Sequence, residues 1–412
     1  MVKVDGVAAF GLRGFLLASA AFATTGATDL PPSSNATSAV AQVPVSAPIE
    51  AAWSVASARQ LLSAIEGAPA EGLHSSDYNP DGLRAAIDAG AGPDLDRVAQ
   101  AAALTLAHDY YFGRVGDREA FDWHIERSAY EMAGLSARLD QAVAAHKVGP
   151  FLASLLPTDA RYAALRDALA DAHGADRDRI RANMERWRWM PRDLGSDYLY
   201  VNVPSYRLRV VQDGEATSTY TVVVGAPATP TPQMVSPATS LVVNPWWNVP
   251  QSIIRKENMR PGKAGFVYAS ANGQASFRQP PGPRNALGKI KFNLINDQAI
   301  YLHDTPAKAG FARDQRDLSH GCVRVKDIAG LASELMRDGG DDGELQDALG
   351  QSKTATVMLP KRWPVYLVYF TMDRGDDGDL VTYGDPYDRD AKLIAQLDGV
   401  PDRNAGMQIA SN

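Results

Sequence analysis

One cysteine in 412 residues leaves no partner within the chain, so no internal disulfide can brace it or sense redox state. Long single-sign charge runs are also missing. The net charge is −7, and without a basic footprint no nucleic acid is expected as a partner. The paired metal-ligand spacings do not occur (no C-x-x-C, no H-E-x-x-H), which counts against a zinc site. Fixed-period repeats and sustained heptads are absent, which excludes solenoids and long coiled coils. Nor is there a long apolar run. The nearest, Gly14–Ala27 ("GFLLASAAFATTGA"), follows Lys3 and Arg13 and is short and rich in small residues for a membrane span. With Ala21 and Ala23 as an A-x-A-like cleavage site, it reads as a secretory signal peptide. A buried N-terminal helix and an uncleaved anchor are the alternatives, and membrane contact is expected only through that segment if it is retained.

Hydrophobic residues make up 45% and charged residues 22%, which suits a globular chain of two or three domains. After the signal at 1–27, residues 28–50 are rich in Pro, Ser, Ala and Thr and read as a flexible linker. From 51 to 190 the apolar period is helical. Leu61, Leu62 and Ile65 share one face; Leu95, Val98, Ala102, Leu106 and Tyr110 recur at three- and four-residue steps. This half carries no chemical motif and reads as a scaffold. The period falls to two after Pro191, and Asp213–Gly214 is a hairpin signal. Further strands are expected at 240–247, 288–295, 299–304 and 322–325, and a helix at 327–338. The fold class is therefore α+β, a helical scaffold followed by a mostly-β, sandwich-like or barrel-like domain over 191–372. The stretch 364–384 reads as another hairpin, with a short helix around 388–398 after it, and 373–412 is taken as an extension packing on either domain. The stretch "RWRWMP" (186–191) is taken as a staple between the two halves.

The cysteine lies in "LSHGCVRV" (318–325). Thiol chemistry needs a thiolate, a base and donors for an oxyanion. Cys322 supplies the nucleophile. His303 and His320, two of the seven histidines, precede it within twenty residues. His303 ends one expected strand and Cys322 begins another, so pairing of those strands would bring them together. His320 is placed to shape the turn or polarise a substrate, and Gly321 permits a tight turn whose backbone N–H groups face an oxyanion. A zinc site from His303, Cys322 and Asp304, or a buried structural cysteine, are the alternatives on residue types alone.

The run "YLHDTPAKAGFARDQRDLSHGCVRV" resembles the active-site signature of the L,D-transpeptidases, whose YkuD-type catalytic domain uses a cysteine. That pattern is a strand-end His, a loop of roughly 14–18 residues, Ser-His-Gly-Cys, then Arg or Asn two residues on. Here it is His303, Ser319, His320, Gly321, Cys322 and Arg324. "NMERWRWMP", "NPWWNVPQSI", "PGPRNALGKIKF", "DPYDRD", "GLHSSDYNP" and "YYFGRV" are similar to segments of the large periplasmic, YcbB-like branch, which has a helical scaffold domain.

The resemblance implies that Cys322 attacks a peptidoglycan stem peptide, with His303 as general base oriented by the backbone of Asp304. His320, Ser319 and Gly321 would shape the oxyanion site. Arg324, Tyr301, Trp247 and Asn285 are the candidate substrate contacts; Arg324 as a plain salt bridge, Trp247 as core and Asn285 as a turn residue are the competing readings. It further implies a periplasmic location, donor and acceptor stem peptides as partners, carbapenems as covalent inhibitors, and no metal or organic cofactor. Two departures stand out. Only about thirty residues separate Leu155–Tyr162 from Met184, too few for the peptidoglycan-binding module of that branch, and the lid from Ile254 to Arg278 looks short. A 1–3 bridge is therefore weighed beside the usual 3–3 bridge. The rivals are an L,D-carboxypeptidase or endopeptidase, a non-catalytic cell-wall binding protein, and a zinc peptidase.

Overall fold

The computed structural model describes residues 52–127, 134–271, 274–375 and 377–399. The expected signal and linker, and the last residues of the C-terminal extension, lie outside them. No helix among the described residues is long and apolar enough to cross a membrane.

The first part is helical: α1 (Val55–Gly67), α2 (Pro80–Ala89), α3 (Pro93–Phe112), α4 (Leu135–Ala144), α5 (Val148–Ala153), α6 (Ala160–Leu169) and α7 (Gly174–Trp189). Ser54 caps α1 by accepting from the Ser57 N–H, and Pro80 and Pro93 open α2 and α3, where a missing N–H costs nothing. Leu61, Ile65, Leu95, Ala102, Leu106 and Tyr110 bury in one cluster, as their spacing expects, with Leu62 and Val98 at its margin.

Helix α7 obeys a different rule. Every residue from Ile180 to Trp189 is buried although the segment is rich in charge. The charges survive burial because each finds a partner. Arg188 pairs with Glu185 at 3.0 Å, Arg186 with Asp390 at 2.7 Å and Arg181 with Asp398 at 2.6 Å. Glu185 also accepts from the Val115 N–H at 2.8 Å and the Trp189 indole at 3.1 Å. Trp187 stacks on Phe370, their rings 4.9 Å apart, and the Arg161 guanidinium lies over both Trp187 and Tyr200. The expected staple is thus buried in one cluster with Tyr198, Tyr366 and Val368.

A short strand, β1 (Trp123–His124), leaves the helical half. Beyond Pro191 come β2 (Tyr198–Asn202), β3 (Arg207–Gln212), β4 (Glu215–Gly225) and β5 (Gln233–Val243). A cap follows, made of β6 (Trp247–Asn248), α8 (Gln251–Lys256), β7 (Val267–Ala271) and β8 (Gln274–Gln279). Then come β9 (Ile290–Leu294), β10 (Leu302–His303), β11 (Asp317–Ser319), β12 (Val323–Val325), α9 (Ile328–Arg337) and α10 (Gly343–Leu349). The last elements among the described residues are β13 (Ala355–Val368), β14 (Met372–Arg374), β15 (Leu380–Thr382) and α11 (Asp390–Gly399).

The main strands pair in the order β5–β13–β2–β3–β4–β12–β10–β9, and β9 pairs back onto β5, so the sheet closes on itself. Closure gives the expected β domain the form of a single barrel-like sheet. Its interior holds the alternate residues of each strand, including Leu208 and Val210, Val222 and Val224, Ile290 and Phe292. The pairing is mixed, because β2 and β13, and β10 and β12, run parallel. At the β3–β4 turn Asp213 and Gly214 have φ of 52° and 83°, the type I′ geometry that the Asp-Gly pair signals. Asp327 caps α9, accepting from the Gly330 N–H at 2.9 Å.

Two expectations need correction. The stretch 364–384 is not one hairpin: Pro364–Val368 complete β13 inside the barrel, and only β14 and β15 form the hairpin. The expected strand 240–247 begins earlier, at Gln233, and breaks after Val243, with β6 belonging to the cap. The C-terminal helix α11 packs on α7, with Leu393 and Leu397 in the cluster that buries Trp187.

Glu185→Ala leaves Arg188 buried without its counter-charge. A loss of about 3–5 kcal/mol is expected for such a broken buried pair, read by urea unfolding, with Glu185→Gln costing less because it still accepts from Val115 and Trp189.

Candidate active site

Strands β10 and β12 run side by side, Leu302 opposite Val323 and His303 opposite Arg324. Leu302, Val323 and Val325 point into the barrel core. By strand alternation the opposite face carries Tyr301, His303, Cys322 and Arg324. These four line a cleft of about 360 Å³ together with Ser319 and His320, and the cap closes one side of it with Trp247, Pro250, Ser252, Ile253 and Glu257.

His303 is 5% exposed, and its Nδ1–H donates to the Asp304 carbonyl at 2.5 Å. A carbonyl only accepts, so this bond fixes the tautomer and leaves Nε2 as a proton acceptor. Burial, then the Arg324 cation beside it, lowers its pKa to about 3, against the opposing pull of the Asp304 backbone. The ring is neutral at any ordinary pH. The Asp304 carboxylate is occupied elsewhere, by the Lys289 N–H at 2.9 Å and the Lys308 ammonium at 2.5 Å.

The Cys322 thiol is also held neutral. Burial pushes its pKa up, while hydrogen bonds from the Tyr301 backbone and hydroxyl and the charges of Lys291 and Arg324 pull it down. The Tyr301 ring stands edge-on to His303, with centroids 5.4 Å apart.

The turn before the thiol is locked by its own side chains. Ser319 Oγ donates to the Cys322 carbonyl at 2.6 Å and accepts from the Gly321 N–H at 3.1 Å. Gly321 has φ of 112°, a conformation that strains any residue with a Cβ. Because its N–H is spent on Ser319, Gly321 does not offer it to an oxyanion; of the backbone donors expected there, the Cys322 N–H is the one left to the role. His320 is exposed at the rim, its pKa lowered by burial and then by Lys256. Asn285 needs a correction. It is 1% exposed, and its side chain donates to the carbonyls of Pro245, Gln279 and Pro280 and accepts from Leu287, so it holds a turn and does not line the cleft.

Three further residues bear on the site. Lys291 on β9 lies opposite His303, with its ammonium 4.4 Å from the centre of the Tyr301 ring. Its alternation with buried Ile290 and Phe292 is readable in "KIKF", but the strand it faces is not. Thr231, fully buried, donates to the Gly321 carbonyl at 2.7 Å and accepts from the Gly225 N–H at 2.8 Å. Tyr387 donates to the Gly225 carbonyl at 2.6 Å, which ties "DPYDRD" to the loop beneath the thiol. Among the described residues, no three His, Cys, Asp or Glu side chains are grouped as metal ligands.

Alkylation of Cys322 by neutral iodoacetamide should reach half its maximal rate above the ordinary thiol pKa of about 8.5. Lys291→Met removes a cation that favours the thiolate, so the midpoint should move higher still; a downward shift would contradict this field. Stopped-time alkylation read by intact mass gives both profiles.

Residues 196–356 match the family model of the L,D-transpeptidase catalytic domain, and residues 49–169 that of the Scaffold domain. A Haemophilus influenzae protein named "Putative L,D-transpeptidase" is 32% identical over 241 residues, covering 52% of this chain and 48% of that one, so the match spans about half the length of that relative. Among solved structures, an L,D-transpeptidase from Mycobacterium smegmatis is similar at 15% identity, over 42% of this chain and 58% of that one, with a TM-score of 0.24. The catalytic domain of an Enterococcus faecium L,D-transpeptidase, described as acylated by ertapenem, is similar at 15% identity over 43% of this chain and 99% of that one, with a TM-score of 0.21. Superpositions this partial leave the barrel to stand on its own strand pairing. Its helical part is thus similar to a Scaffold domain, and its mostly-β part to an L,D-transpeptidase catalytic domain.

Proposed function

We propose that this chain is an exported L,D-transpeptidase that cross-links peptidoglycan through a Cys322 thioester. The observation that supports this most is the shared face of β10 and β12, which carries Tyr301, His303, Cys322 and Arg324 into one cleft. His303 Nε2 takes the thiol proton as sulfur attacks the carbonyl of a stem peptide. The tetrahedral oxyanion accepts from the Cys322 N–H, with His320 at the rim. Collapse breaks the C–N bond, and the departing D-amino acid's amine takes the proton from His303, leaving the acyl group on sulfur. An acceptor amine then attacks the thioester, its proton passes through His303, and the thiol is restored.

The low pKa of His303 suits the second transfer. An imidazolium that is hard to form is a strong acid, so once made it gives its proton readily to the leaving amine. Starting from a neutral thiol and neutral imidazole, proton removal and attack are coupled in one step. Arg324, flanking the thiol, would hold a carboxylate of the donor. Export through the segment at Gly14–Ala27 would bring the enzyme to a periplasmic substrate, and the bridge formed would be 3–3 or 1–3.

Purified disaccharide-peptide muropeptides incubated with the protein should give cross-linked dimers, and Cys322→Ala should give none; tandem mass spectrometry reads which residues are bridged. Shortened monomers without dimers would make it a hydrolase. His303→Gln should slow acylation by at least about a hundredfold, the scale of one lost general base. Carbapenems, which acylate structural relatives, should add one drug mass to the wild type and nothing to Cys322→Ala.

A further inference from the structure

The cap over the cleft carries a charge that the rest of the chain opposes. Between Pro245 and Lys289 the cations are Arg255, Lys256, Arg260, Lys263, Arg278, Arg284 and Lys289, and the one anion is Glu257. The segment is +6 in a chain of −7, which leaves −13 on the remainder. All seven cations are exposed. Their own contacts consume little of the charge: Lys263 pairs with Glu257 at 3.1 Å, and Arg278 lies 4.7 Å from the ring centre of Trp246, itself exposed. The cap also has a rigid basis, because Val249, Ile253, Ile254, Met259 and Phe277 form a small core of their own. That core costs nothing in charge, so its basic exterior is not required for folding.

Such a segregation of charge attracts an extended anion. A single exposed cation is screened beyond about 10 Å at 0.1 M salt, but five on the cap and two just beyond it, Arg284 and Lys289, act together on a polyanion. The cap also walls the cleft through Trp247, Pro250, Ser252, Ile253 and Glu257, so whatever it holds lies beside Cys322. Resting on the peptidoglycan reading above, we infer that the cap is a docking surface for the carboxylate-bearing stem peptides of the polymer surrounding the donor. It holds the chain on the mesh by charge, while the cleft itself reads one peptide. Trp246 and Tyr268, 37% and 40% exposed on the same element, add flat apolar area beside the cations.

The test is sedimentation of the full chain with insoluble peptidoglycan sacculi, either native or with their carboxylates converted to amides. Native sacculi should retain the protein at 50 mM salt and release it by about 0.3 M, an apparent affinity loss of roughly tenfold or more. Amidated sacculi should retain little. The triple variant R260Q, R278Q, R284Q should bind native sacculi about five- to tenfold more weakly with an unchanged melting temperature, since the three side chains are exposed. Retention that ignores salt, equal retention on amidated sacculi, or an unweakened variant would overturn the assignment. So would tighter binding to anionic-phospholipid vesicles or duplex DNA than to sacculi at the same salt, which would assign the charge to another polyanion. Sedimentation does not need turnover. A chain that docks through carboxylates yet forms no thioester keeps this surface and loses the enzymatic reading, and the reverse result does the opposite.

Discussion

The parallel pairing of β10 with β12 is the constraint on which the site depends. Two adjacent parallel strands cannot be joined by a tight turn; the chain must travel back along the sheet, which takes a dozen residues or more. The spacing between His303 and Cys322 is therefore a geometric requirement of that connection. The crossover does more than span the gap. Its 3₁₀ turn (Lys308–Ala312) packs against β4, and β11 pairs with β4 in parallel, so the return path is held at two places before it reaches the thiol. One register then fixes two things. It places His303 opposite Arg324 and Cys322 opposite Tyr301, and it sends the intervening apolar residues into the barrel. A slip of one residue would send Cys322 inward and Val323 into the cleft.

Electrostatics at this site pulls in two directions. Lys291 and Arg324 favour the thiolate while they disfavour the imidazolium, so a preformed ion pair gains nothing net from them. Burial opposes both charged forms. The cleft is thus neutral at His303 and Cys322 and positive around them, an environment that favours negative charge arriving or developing there.

What could be read from the chain and what could not divides along the range of the interaction. The Asp213–Gly214 turn, the Asp327 cap and the Ser-His-Gly-Cys turn are local, and their residue types announce them. The face shared by Tyr301 and His303 follows from a period of two. Lys291 shows the same period, but its neighbourhood depends on β9 meeting β10, which no local pattern states. Asn285 misled because a polar residue in a Pro-Gly turn looks alike whether it faces solvent, substrate or backbone. Helix α7 was legible only in part: "RWRWMP" reads as a staple, but its charge pattern gives no apolar stripe, so nothing local reveals that Ile180–Trp189 is buried all round, and its partners Asp390 and Asp398 lie some two hundred residues away. The family models leave the same stretch unmatched, between 169 and 196.

Strand β1 is two residues long and easily overlooked, yet Trp123 and His124 continue the row of hydrogen bonds along β5 on the side that β9 occupies further up. The helical half thereby finishes an edge of the barrel, and Gln233 turns back to meet it, donating to the Phe121 and Asp122 carbonyls at 2.8 and 2.9 Å. A barrel cut free at residue 191 would bare the first residues of β5 and the aromatic seam around Trp187 together, an open strand end beside a greasy surface, which is how sheets come to stick to one another. The two parts are separable as names but not as objects. Evolution could have lengthened or shortened the loops between the helices with little consequence, whereas exchanging the helical half for another would require the newcomer to bring its own strand to the same edge.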